Sequence, residues 1–368
     1  MANISITTEC NRSCSYCFSF GRRTGLSETP AHMSLDIYRR ILSSLGASGV
    51  DEIRLLGGEP SLHPEFAEFV DLALDQGFGV VIFSNGFISE DYLCFLQTRH
   101  QSRISLLINT LVPGRDDEKA ILEQNASLMR LGSMAGLGIN LFSPGIDPGF
   151  LIQRVDELGV SRTVRIGLAH PCLEKNNRFL HPRHYPMVGR RLIDFFEASD
   201  AAGIQVDLDC GFVPCMFPEQ DRERILDGFP DIGRRCNPIL DFLPDQTVVS
   251  CFPLSKIQKT AVTVQSREQT LRKDFSRVFE TFHGLGIYPG CSLCKYKRSG
   301  ECTGGCLAAS LNRLRPIPVY HYTKGGPCNI QVPVESNADR RFIGPGPDTT
   351  EPDQKKVSDK KWCLPYVD

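Results

Sequence analysis

The chain has 368 residues, of which 41% are hydrophobic and 23% are charged, as is typical of a globular protein with a sizeable core. Its 41 basic and 43 acidic side chains nearly balance, which argues against a general binder of nucleic acids or membrane surfaces. The N-terminus has no basic segment followed by an apolar one, and no run reaches the ~18 apolar residues of a membrane span. We therefore expect a cytoplasmic protein with no nucleic-acid or membrane partner.

The cysteines give the first positive indication of function. There are 15 of them, and without an export signal they do not predict a disulfide framework, because disulfides persist in oxidising compartments. Clustered cysteines in a reducing compartment are more typical of metal sites. Three lie within the first 17 residues, and nine lie between Cys210 and Cys328. The isolated Cys94 stands in an apolar helical context, where we expect a small buried side chain.

Residues 3–170 alternate between short β-branched runs and amphipathic helical runs. Such alternation indicates parallel strands joined by right-handed crossovers. Six units fit an α/β fold, a partial (β/α)6 barrel of the TIM type, in which the chemistry lies at the C-terminal strand ends. Ser34 is the predicted N-cap of the first helix, and Met187–Ala202 is a later helix. The predicted strands are Asn3–Thr7, Glu52–Leu56, Val80–Phe83, Arg103–Ile108, Gly138–Phe142 and Thr163–Ile166, with a further strand-like run at Gln205–Leu208.

The stretch Thr8–Phe18 follows the first strand and places Cys10, Cys14 and Cys17 in a C-x3-C-x2-C arrangement. Three thiolates this close together can wrap one face of a cubane iron–sulfur cluster. A [4Fe–4S] cluster then keeps one iron without a protein ligand, and that iron can bind a substrate or cofactor. A zinc knuckle is the alternative, but zinc needs a fourth ligand, and the next candidate is His32.

This motif, with an aromatic residue just before the last cysteine, resembles the signature of the radical S-adenosylmethionine (radical SAM) enzymes. The resemblance implies that the open iron chelates the amino and carboxylate groups of SAM. It also implies that an electron from the cluster cleaves SAM to methionine and a 5′-deoxyadenosyl radical. An electron donor such as flavodoxin or ferredoxin would then be a partner, and a partial barrel is the fold of this family.

The second strand ends in Gly57, Gly58, Glu59 and Pro60, which match the Gly-Gly-Glu-Pro motif of that family. The resemblance implies binding of the methionyl amino group of SAM. Glycines allow close approach of the main chain, and a carboxylate or carbonyl oxygen accepts from an ammonium group. Weaker candidates for the carboxylate and ribose of SAM stand at the ends of later strands, where a turn or a strand-capping arginine is the alternative: Ser84, Asn85, Asn109 and Arg165.

A second group of cysteines follows residue 205. Its core is Cys291-x2-Cys294-x7-Cys302-x3-Cys306, and a zinc ribbon built from these four residues is one alternative. The whole set resembles the SPASM extension of radical SAM enzymes, which binds one or two auxiliary iron–sulfur clusters. The sequence departs from that pattern in its seven-residue gap, where five is usual, and in Gln246, where a glycine is usual. The remaining members are Cys210, Cys215, Cys236, Cys251 and Cys328.

Position by position, the resemblance implies two ligand sets. Cys236, Cys251 and Cys306 would hold the first auxiliary cluster, leaving an iron open or recruiting Cys210 or Cys215. Either of these two could instead be a hydrogen-donating thiol or a small core residue. The second auxiliary cluster would be held by Cys291, Cys294, Cys302 and Cys328.

These interpretations predict three regions: a radical SAM barrel at 1–205, a SPASM-like domain at 206–331 and a polar tail at 332–368. The loop at 176–186 is expected to lie over the barrel mouth. We expect hydrogen abstraction from a peptide or protein, with a separate leader-recognition protein as a possible partner. A small-molecule oxidase or epimerase is the alternative, and a non-catalytic iron–sulfur or zinc protein is a remote one. Phe252 stands where a sulfatase maturase is expected to carry Asp, which disfavours that subclass.

Overall fold

The structure is a computed structural model. It describes residues 1–18, 30–99, 102–173, 177–233, 236, 239–263, 265–282 and 284–314. In this part of the chain, strands and helices alternate from the N-terminus to residue 208. The strands are β1 (Ala2–Thr7), β2 (Glu52–Gly57), β3 (Gly79–Ser84), β4 (Ile104–Asn109), β5 (Ala135–Leu141), β6 (Thr163–Leu168) and β7 (Gln205–Leu208). The helices are α1 (Leu35–Gly46), α2 (Phe66–Asp75), α3 (Glu90–Gln97), α4 (Glu118–Leu131), α5 (Phe150–Leu158) and α6 (Tyr185–Ala201).

Shorter elements follow in the C-terminal part. The strands there are β8 (Asp241–Phe242), β9 (Thr247–Val249) and β10 (Thr260–Ala261). The helices are α7 (Arg222–Gly228), α8 (Glu268–Glu280), α9 (Lys295–Arg298) and α10 (Leu307–Arg313). No described helix is long and apolar enough to cross a membrane.

All ten of these strands form one sheet, in the order β10-β9-β8-β1-β2-β3-β4-β5-β6-β7. The pairs from β8 through β7 are parallel, and β9 is antiparallel to both of its neighbours. Among the described residues β7 and β10 are the edges, so the sheet is open rather than closed. This confirms the predicted α/β fold with a partial barrel.

Each of the six predicted strands is present, with its ends moved by at most three residues. The largest shift is at β5, which begins at Ala135 rather than Gly138. Gly136 and Gly138 interrupt the β-branched pattern, so the pattern did not indicate where β5 begins. Close packing explains why glycine stands at both positions. A side chain on Gly136 would lie 3.3 Å from the Thr163 carbonyl oxygen, and one on Gly138 would lie 3.2 Å from Leu107.

The core lies between this sheet and the helices that cover it. Ile4, Leu55 and Tyr38 are fully buried, and so is Phe69 of α2. The sequence of a parallel strand covered by helices is a nearly continuous apolar run. For this reason the strands could be predicted from the sequence. The predicted N-cap of α1 is also confirmed, because the Ser34 hydroxyl accepts a hydrogen bond from the Ile37 amide.

The expectation for Cys94 is wrong, because its side chain is exposed. Helix α3 turns Leu93 and Leu96 into the core, which leaves Cys94 on the outer side. There its sulfur lies 3.5 Å from an Arg130 nitrogen and 3.7 Å from a Glu90 oxygen. An apolar local sequence does not specify which face of a short helix is buried.

The C-terminal part joins the same sheet rather than packing as a separate layer. β8 pairs with β1, and the Asn3 side chain donates to the Asp241 carboxylate at 2.8 Å. Strand β7 likewise pairs with β6. The division at residue 205 therefore remains a proposal, and the predicted tail at 332–368 lies outside the described residues.

We expect Leu55→Ala to lower the free energy of unfolding by about 2–5 kcal/mol, because it leaves a cavity in the fully buried centre of β2. Urea unfolding of the metal-free protein, followed by circular dichroism, measures this. Leu122→Ala is the matched control, since Leu122 is 68% exposed on α4 and its removal should change stability by no more than about 0.5 kcal/mol. Equal losses in the two variants would contradict the assignment of the core.

Candidate active site

The three N-terminal cysteines lie on the segment Thr8–Phe18, here called the cluster loop, at the C-terminal end of β1. A turn closed by the Cys17 amide and the Cys14 carbonyl, 3.1 Å apart, brings two of them together. Burial raises the pKa of the Cys14 thiol. The Arg12 guanidinium lowers this pKa, and the nearby Cys17 thiol raises it. The Cys10 sulfur accepts from the Arg12 amide at 3.4 Å. All three thiols are partly exposed.

This donor set fits an iron–sulfur cluster by its chemistry, since soft thiolates on one short loop are the ligands such clusters use. Among the described residues, no three histidine, cysteine or carboxylate side chains converge where one metal ion could bind them. A cubane does not require such convergence, because each cysteine binds a different iron. Cys10, Cys14 and Cys17 are therefore the residues that would hold the cluster.

Gly57 and Gly58 let the cluster loop lie directly on the end of β2. A side chain at Gly57, whose φ is +154°, would lie 2.2 Å from the Thr7 carbonyl oxygen. One at Gly58 would lie 1.9 Å from the Glu9 carbonyl oxygen and 2.9 Å from Cys10 Cβ. The Gly58 amide donates to Thr7 at 2.9 Å and the Glu59 amide to Glu9 at 2.7 Å. The two glycines thus position the cluster loop, a role beyond the predicted approach to SAM.

The Glu59 side chain is fully buried and already engaged by protein donors. Its Oε1 accepts from the hydroxyls of Ser61 at 2.8 Å and Ser84 at 2.9 Å, and its Oε2 accepts from the Asn85 amide at 2.8 Å. Burial raises the pKa of this carboxyl, although the hydrogen bonds oppose the rise. Main-chain carbonyls, rather than this carboxylate, are therefore the better candidates to accept from an ammonium group. Pro60 begins the short 3-10 helix Pro60–Leu62 that follows.

Asn85 lies against the cluster loop, as the strand-end prediction requires. Its side-chain nitrogen donates to Asn11 at 2.7 Å and lies 3.8 Å from the Cys10 sulfur. Its carbonyl accepts at 2.7 Å from Gln124, a fully buried residue of α4 that also donates to the Asn109 carbonyl at 3.1 Å. Gln124 was missed in the sequence. Its position one turn before Leu128, on the buried face of α4, is the signal that could have found it.

A row of hydrogen-bonded polar side chains runs across the ends of β4 to β7. Asn109 donates to the Tyr16 hydroxyl at 2.5 Å and accepts from Asn140 at 3.0 Å. Asn140 accepts from Arg165 at 3.2 Å, and Arg165 pairs with Asp209. The structure thus brings together the predicted residues Asn109 and Arg165. No sequence pattern indicated Asn140 or Asp209, although each is a polar residue at or just after the end of a strand.

Arg165 is expected to contact the SAM carboxylate, but its guanidinium already has a carboxylate partner in Asp209. Burial lowers the pKa of Arg165 to about 10, so it stays charged at neutral pH. The role predicted for it would require sharing the guanidinium between Asp209 and SAM.

A cavity of about 380 Å³ lies between the cluster loop and the ends of β4 and β5. This volume lies in the usual range of small-molecule sites. One wall is the Tyr16 ring, which stacks on Phe142 with centroids 4.7 Å apart. A second cavity of about 400 Å³ lies at the opposite strand ends, away from the cysteines. The first cavity is lined by Arg12, Ser13, Cys14, Ser15, Tyr16, Thr110, Leu111, Val112, Arg115, Asp116, Ile139, Asn140, Phe142 and Arg178.

The loop after β6 covers the cluster loop, which confirms its predicted place over the barrel mouth. The Asn177 side chain donates to the Tyr16 carbonyl at 3.1 Å, and the Arg178 amide donates to the Ser15 carbonyl at 2.9 Å. Asn176 lies outside the described residues. Tyr185 belongs to the buried start of α6 rather than to this loop.

Eight of the later cysteines lie in the described part of the chain and fall into two neighbourhoods. Burial raises the pKa of Cys251, and the thiols of Cys306, Cys236 and Cys210 act in the same direction. Burial, with the nearby thiols of Cys302, Cys291 and Cys294, raises the pKa of Cys215 to about 12. We call these groups the first cysteine set (Cys210, Cys236, Cys251 and Cys306) and the second cysteine set (Cys215, Cys291, Cys294 and Cys302).

The two predicted ligand groups are thus each brought together, apart from Cys328, which lies outside the described residues. Cys210 lies with the first set and Cys215 with the second. Four soft thiolates are a chemically suitable ligand set for an auxiliary iron–sulfur cluster. Whether they bind one remains a prediction.

We expect Gly58→Ala to displace the cluster loop, because the added methyl group would overlap the Glu9 carbonyl. Anaerobic reconstitution should then incorporate about four fewer irons per chain, the content of one cubane. Gly228→Ala is the control, since a side chain there meets nothing within 4 Å. Full iron content and unchanged SAM binding in Gly58→Ala would show that this contact is not required.

Glu59→Gln should change how stability depends on pH. Burial raises the pKa of Glu59 above its ordinary value of 4.5, so its stabilising contribution is complete below pH 4.5 and is lost as the pH rises through the raised value. The free energy of unfolding of wild type should therefore fall over that window relative to the glutamine variant. Urea titrations at several pH values measure the difference. Glu123→Gln, at an exposed position of α4, should follow wild type; parallel curves for wild type and Glu59→Gln would refute the prediction.

Part of the chain is similar to a known protein family. Residues 4–123 match the model of the Radical SAM superfamily. A curated relative, the S-adenosylmethionine-dependent nucleotide dehydratase of Selenomonas ruminantium, is 42% identical over 86 residues, which are 23% of this chain and 29% of that protein. The chain thus aligns with less than a third of the length of this relative.

Two solved structures share the fold. SuiB of Streptococcus suis bound to precursor peptide SuiA has a TM-score of 0.60 at 13% identity, covering 83% of this chain and 71% of that one. Native anSMEcpe with bound AdoMet and Cp18Cys peptide has a TM-score of 0.59 at 15% identity, covering 83% and 88%. Residues 4–123 of the chain therefore match the radical SAM family model, and the two solved structures show that most of the chain shares their fold.

Proposed function

We propose that this chain is a radical SAM enzyme in which Cys10, Cys14 and Cys17 hold a [4Fe–4S] cluster with one iron open to SAM. When bound, the cluster and SAM supply an electron and a 5′-deoxyadenosyl radical that takes a hydrogen atom from a substrate C–H bond. The observation that carries this proposal is the direct packing of the cluster loop on Gly57 and Gly58 at adjacent strand ends. A flavodoxin or ferredoxin is the proposed electron donor.

The residues around the cavity bind and orient the cofactor in this proposal. Tyr16 and Asn140 line the cavity, and Asn109 is hydrogen-bonded to both of them. Their amide and hydroxyl groups can pair with the ribose hydroxyls and the carboxylate of SAM. Because each side chain is already fixed by a neighbour, little conformational entropy is lost on binding. The loop at Asn177 and Arg178 covers the cluster loop and helps to exclude water.

A peptide or protein is the substrate class we propose. Support comes from the eight described cysteines of the C-terminal part, since the extension they resemble is found mostly in peptide-modifying enzymes. The fold likeness to SuiB, solved with a precursor peptide, agrees with this choice. A separate leader-recognition protein is a proposed partner, and an oxidative crosslink or a related maturation is the proposed outcome.

A small molecule is the second candidate, and one observation favours it. The curated relative with 42% identity over 86 residues is named for action on a nucleotide. A nucleotide is polar and carries phosphates, so it would need cationic side chains near the mouth of the cavity. Arg12, Arg115 and Arg178 line that cavity, although Arg12 is paired with Asp116 at 3.0 Å.

We expect the anaerobically reconstituted protein, given SAM and dithionite, to form 5′-deoxyadenosine. Replacing Cys14 by alanine should abolish this product, because one iron loses its ligand. Cys94→Ala is the matched control, since Cys94 is exposed on α3 away from the site. Liquid chromatography of quenched reactions measures the product, and undiminished product in Cys14→Ala would rule out the proposed cluster site.

Substrate class can be tested in the same assay. A true substrate consumes the radical and should raise 5′-deoxyadenosine formation above the rate without substrate. We expect leader-bearing peptides to do so, with a mass change in the peptide. Stimulation by nucleoside triphosphates and not by peptides would establish the second candidate instead.

A further inference from the structure

One ion pair joins the cluster loop to the turn that follows β4. The Arg12 Nη2 atom lies 3.0 Å from the Asp116 Oδ1 atom, and the two side chains are 21% and 30% exposed. The partners are far apart in sequence, since Arg12 stands between two of the cluster-loop cysteines and Asp116 stands shortly before α4. The proposed function assigns no role to this pair.

Main-chain contacts fix Asp116 independently of Arg12. We call the segment 111–116 the β4 turn. Within it the Asp116 Oδ2 atom accepts a hydrogen bond from the Val112 amide at 2.8 Å, and the Asp116 amide donates to the Val112 carbonyl at 3.0 Å. The β4 turn therefore holds one carboxylate oxygen of Asp116, and the other oxygen pairs with Arg12.

Two buried polar side chains anchor the β4 turn to the helices behind it. Gln124 of α4 is fully buried, and its side-chain oxygen accepts from the Leu111 amide at 3.0 Å. Arg154 of α5 is also buried and donates to the Leu111 carbonyl at 3.1 Å. A second nitrogen of Arg154 donates to Asn125 of α4. The β4 turn is thus a fixed support, which presents Asp116 to the cluster loop in one position.

Arg12 is also restrained by contacts other than the ion pair. Its amide donates to the Cys10 sulfur at 3.4 Å, and its guanidinium carbon lies 5.5 Å from the centre of the Phe87 ring. The Phe87 carbonyl in turn accepts from the Asn11 side chain at 3.1 Å. An exposed ion pair usually contributes little to stability, because two flexible side chains must be ordered to form it. Here other contacts already order both partners, so less of that cost remains.

The two charges lie beside a residue that would hold the cluster. Arg12, Asp116 and Cys14 line the same cavity of about 380 Å³. A cation near an iron–sulfur cluster stabilises the reduced, more negative state of the cluster, and an anion destabilises that state. Because the ion pair is neutral as a whole, each partner cancels most of the effect that the other would have on a nearby cluster.

We propose that Asp116 is a positioning residue that acts through Arg12. It holds the cluster loop against the β4 turn, which we call the positioning effect. It also cancels the charge of Arg12 beside the cluster, which we call the charge effect. The inference deepens the proposed function, on which it rests, because it assigns to one ion pair both the order of the cluster loop and the reduction potential of the cluster held there.

The positioning effect is tested by hydrogen–deuterium exchange on the full chain without iron or SAM. We expect Asp116→Asn to speed exchange of the cluster-loop amides by roughly two- to fivefold, as the loss of one partly exposed ion pair allows. Asp71→Asn is the matched control, because it removes a similar ion pair, with Arg99 at 2.6 Å, at the opposite strand ends. Equal exchange rates of the cluster loop in the two variants would overturn the positioning effect.

The charge effect is tested by redox titration of the reconstituted protein, followed by EPR. The signal to follow is the one absent from Cys14→Ala, so that any cluster of the C-terminal part is left out. We expect Asp116→Asn to make the reduction potential of this cluster less negative, because the charge of Arg12 is no longer cancelled. Arg12→Gln should shift the potential in the opposite direction, and the variant with both changes should lie close to wild type. Shifts of the same sign in the two single variants, or unchanged potentials in both, would overturn the charge effect.

The proposed function is judged separately from this inference. The exchange measurement requires neither a cluster nor SAM, and the redox titration requires no cleavage of SAM. If the potentials shift as expected while wild type forms no 5′-deoxyadenosine, the proposed SAM chemistry fails and the roles of Arg12 and Asp116 stand. If wild type forms 5′-deoxyadenosine while neither variant differs from its control, the proposed function stands and this inference fails.

Discussion

Two stretches of main chain in direct contact set the geometry of the whole candidate site. Thr7 and Glu9 accept hydrogen bonds from the amides of Gly58 and Glu59, and no side chain separates the two segments. Because main-chain atoms make the contact, the position of the cluster loop does not depend on side-chain rotamers. The fold thus orients the residues that would hold a cluster before any ligand binds. It orients the residues at the adjacent strand end together with them.

Buried polar side chains extend this constraint along the open sheet. The Glu59 carboxylate joins the end of β2 to the turn after β3, and Gln124 joins that turn to the end of β4. Burial of a carboxylate is unfavourable, but the hydroxyl and amide donors around Glu59 offset much of that cost. The row from Asn109 to Asp209 then connects β4 to β7. The strand ends are therefore held by a connected network rather than by isolated loops.

The sequence predicts the strands and the motif positions well because both are local. A parallel strand covered by helices needs an apolar run, and a ligand loop needs its cysteines within a few residues. The partners of Gln124, Asn140 and Asp209 are set by neighbours that are distant in sequence, so no local pattern reveals them. The same limit applies to Cys210 and Cys215, whose neighbours arise from the packing around Gly233 and His170. Where local context was relied on for a burial prediction, at Cys94, it was wrong.

Strand β1 links the two halves of the proposed chemistry. It lies between β2, which carries the glycine pair, and β8, which begins the sheet of the C-terminal part. The Phe18 ring of the cluster loop also stacks on Phe252, next to Cys251 of the first cysteine set, with centroids 5.0 Å apart. A hydrogen-bonded strand pair and an aromatic contact thus connect the cluster loop to the first cysteine set. Sheet pairing resists relative movement, so the separation between the cluster loop and the first cysteine set is fixed by the fold rather than by a flexible linker.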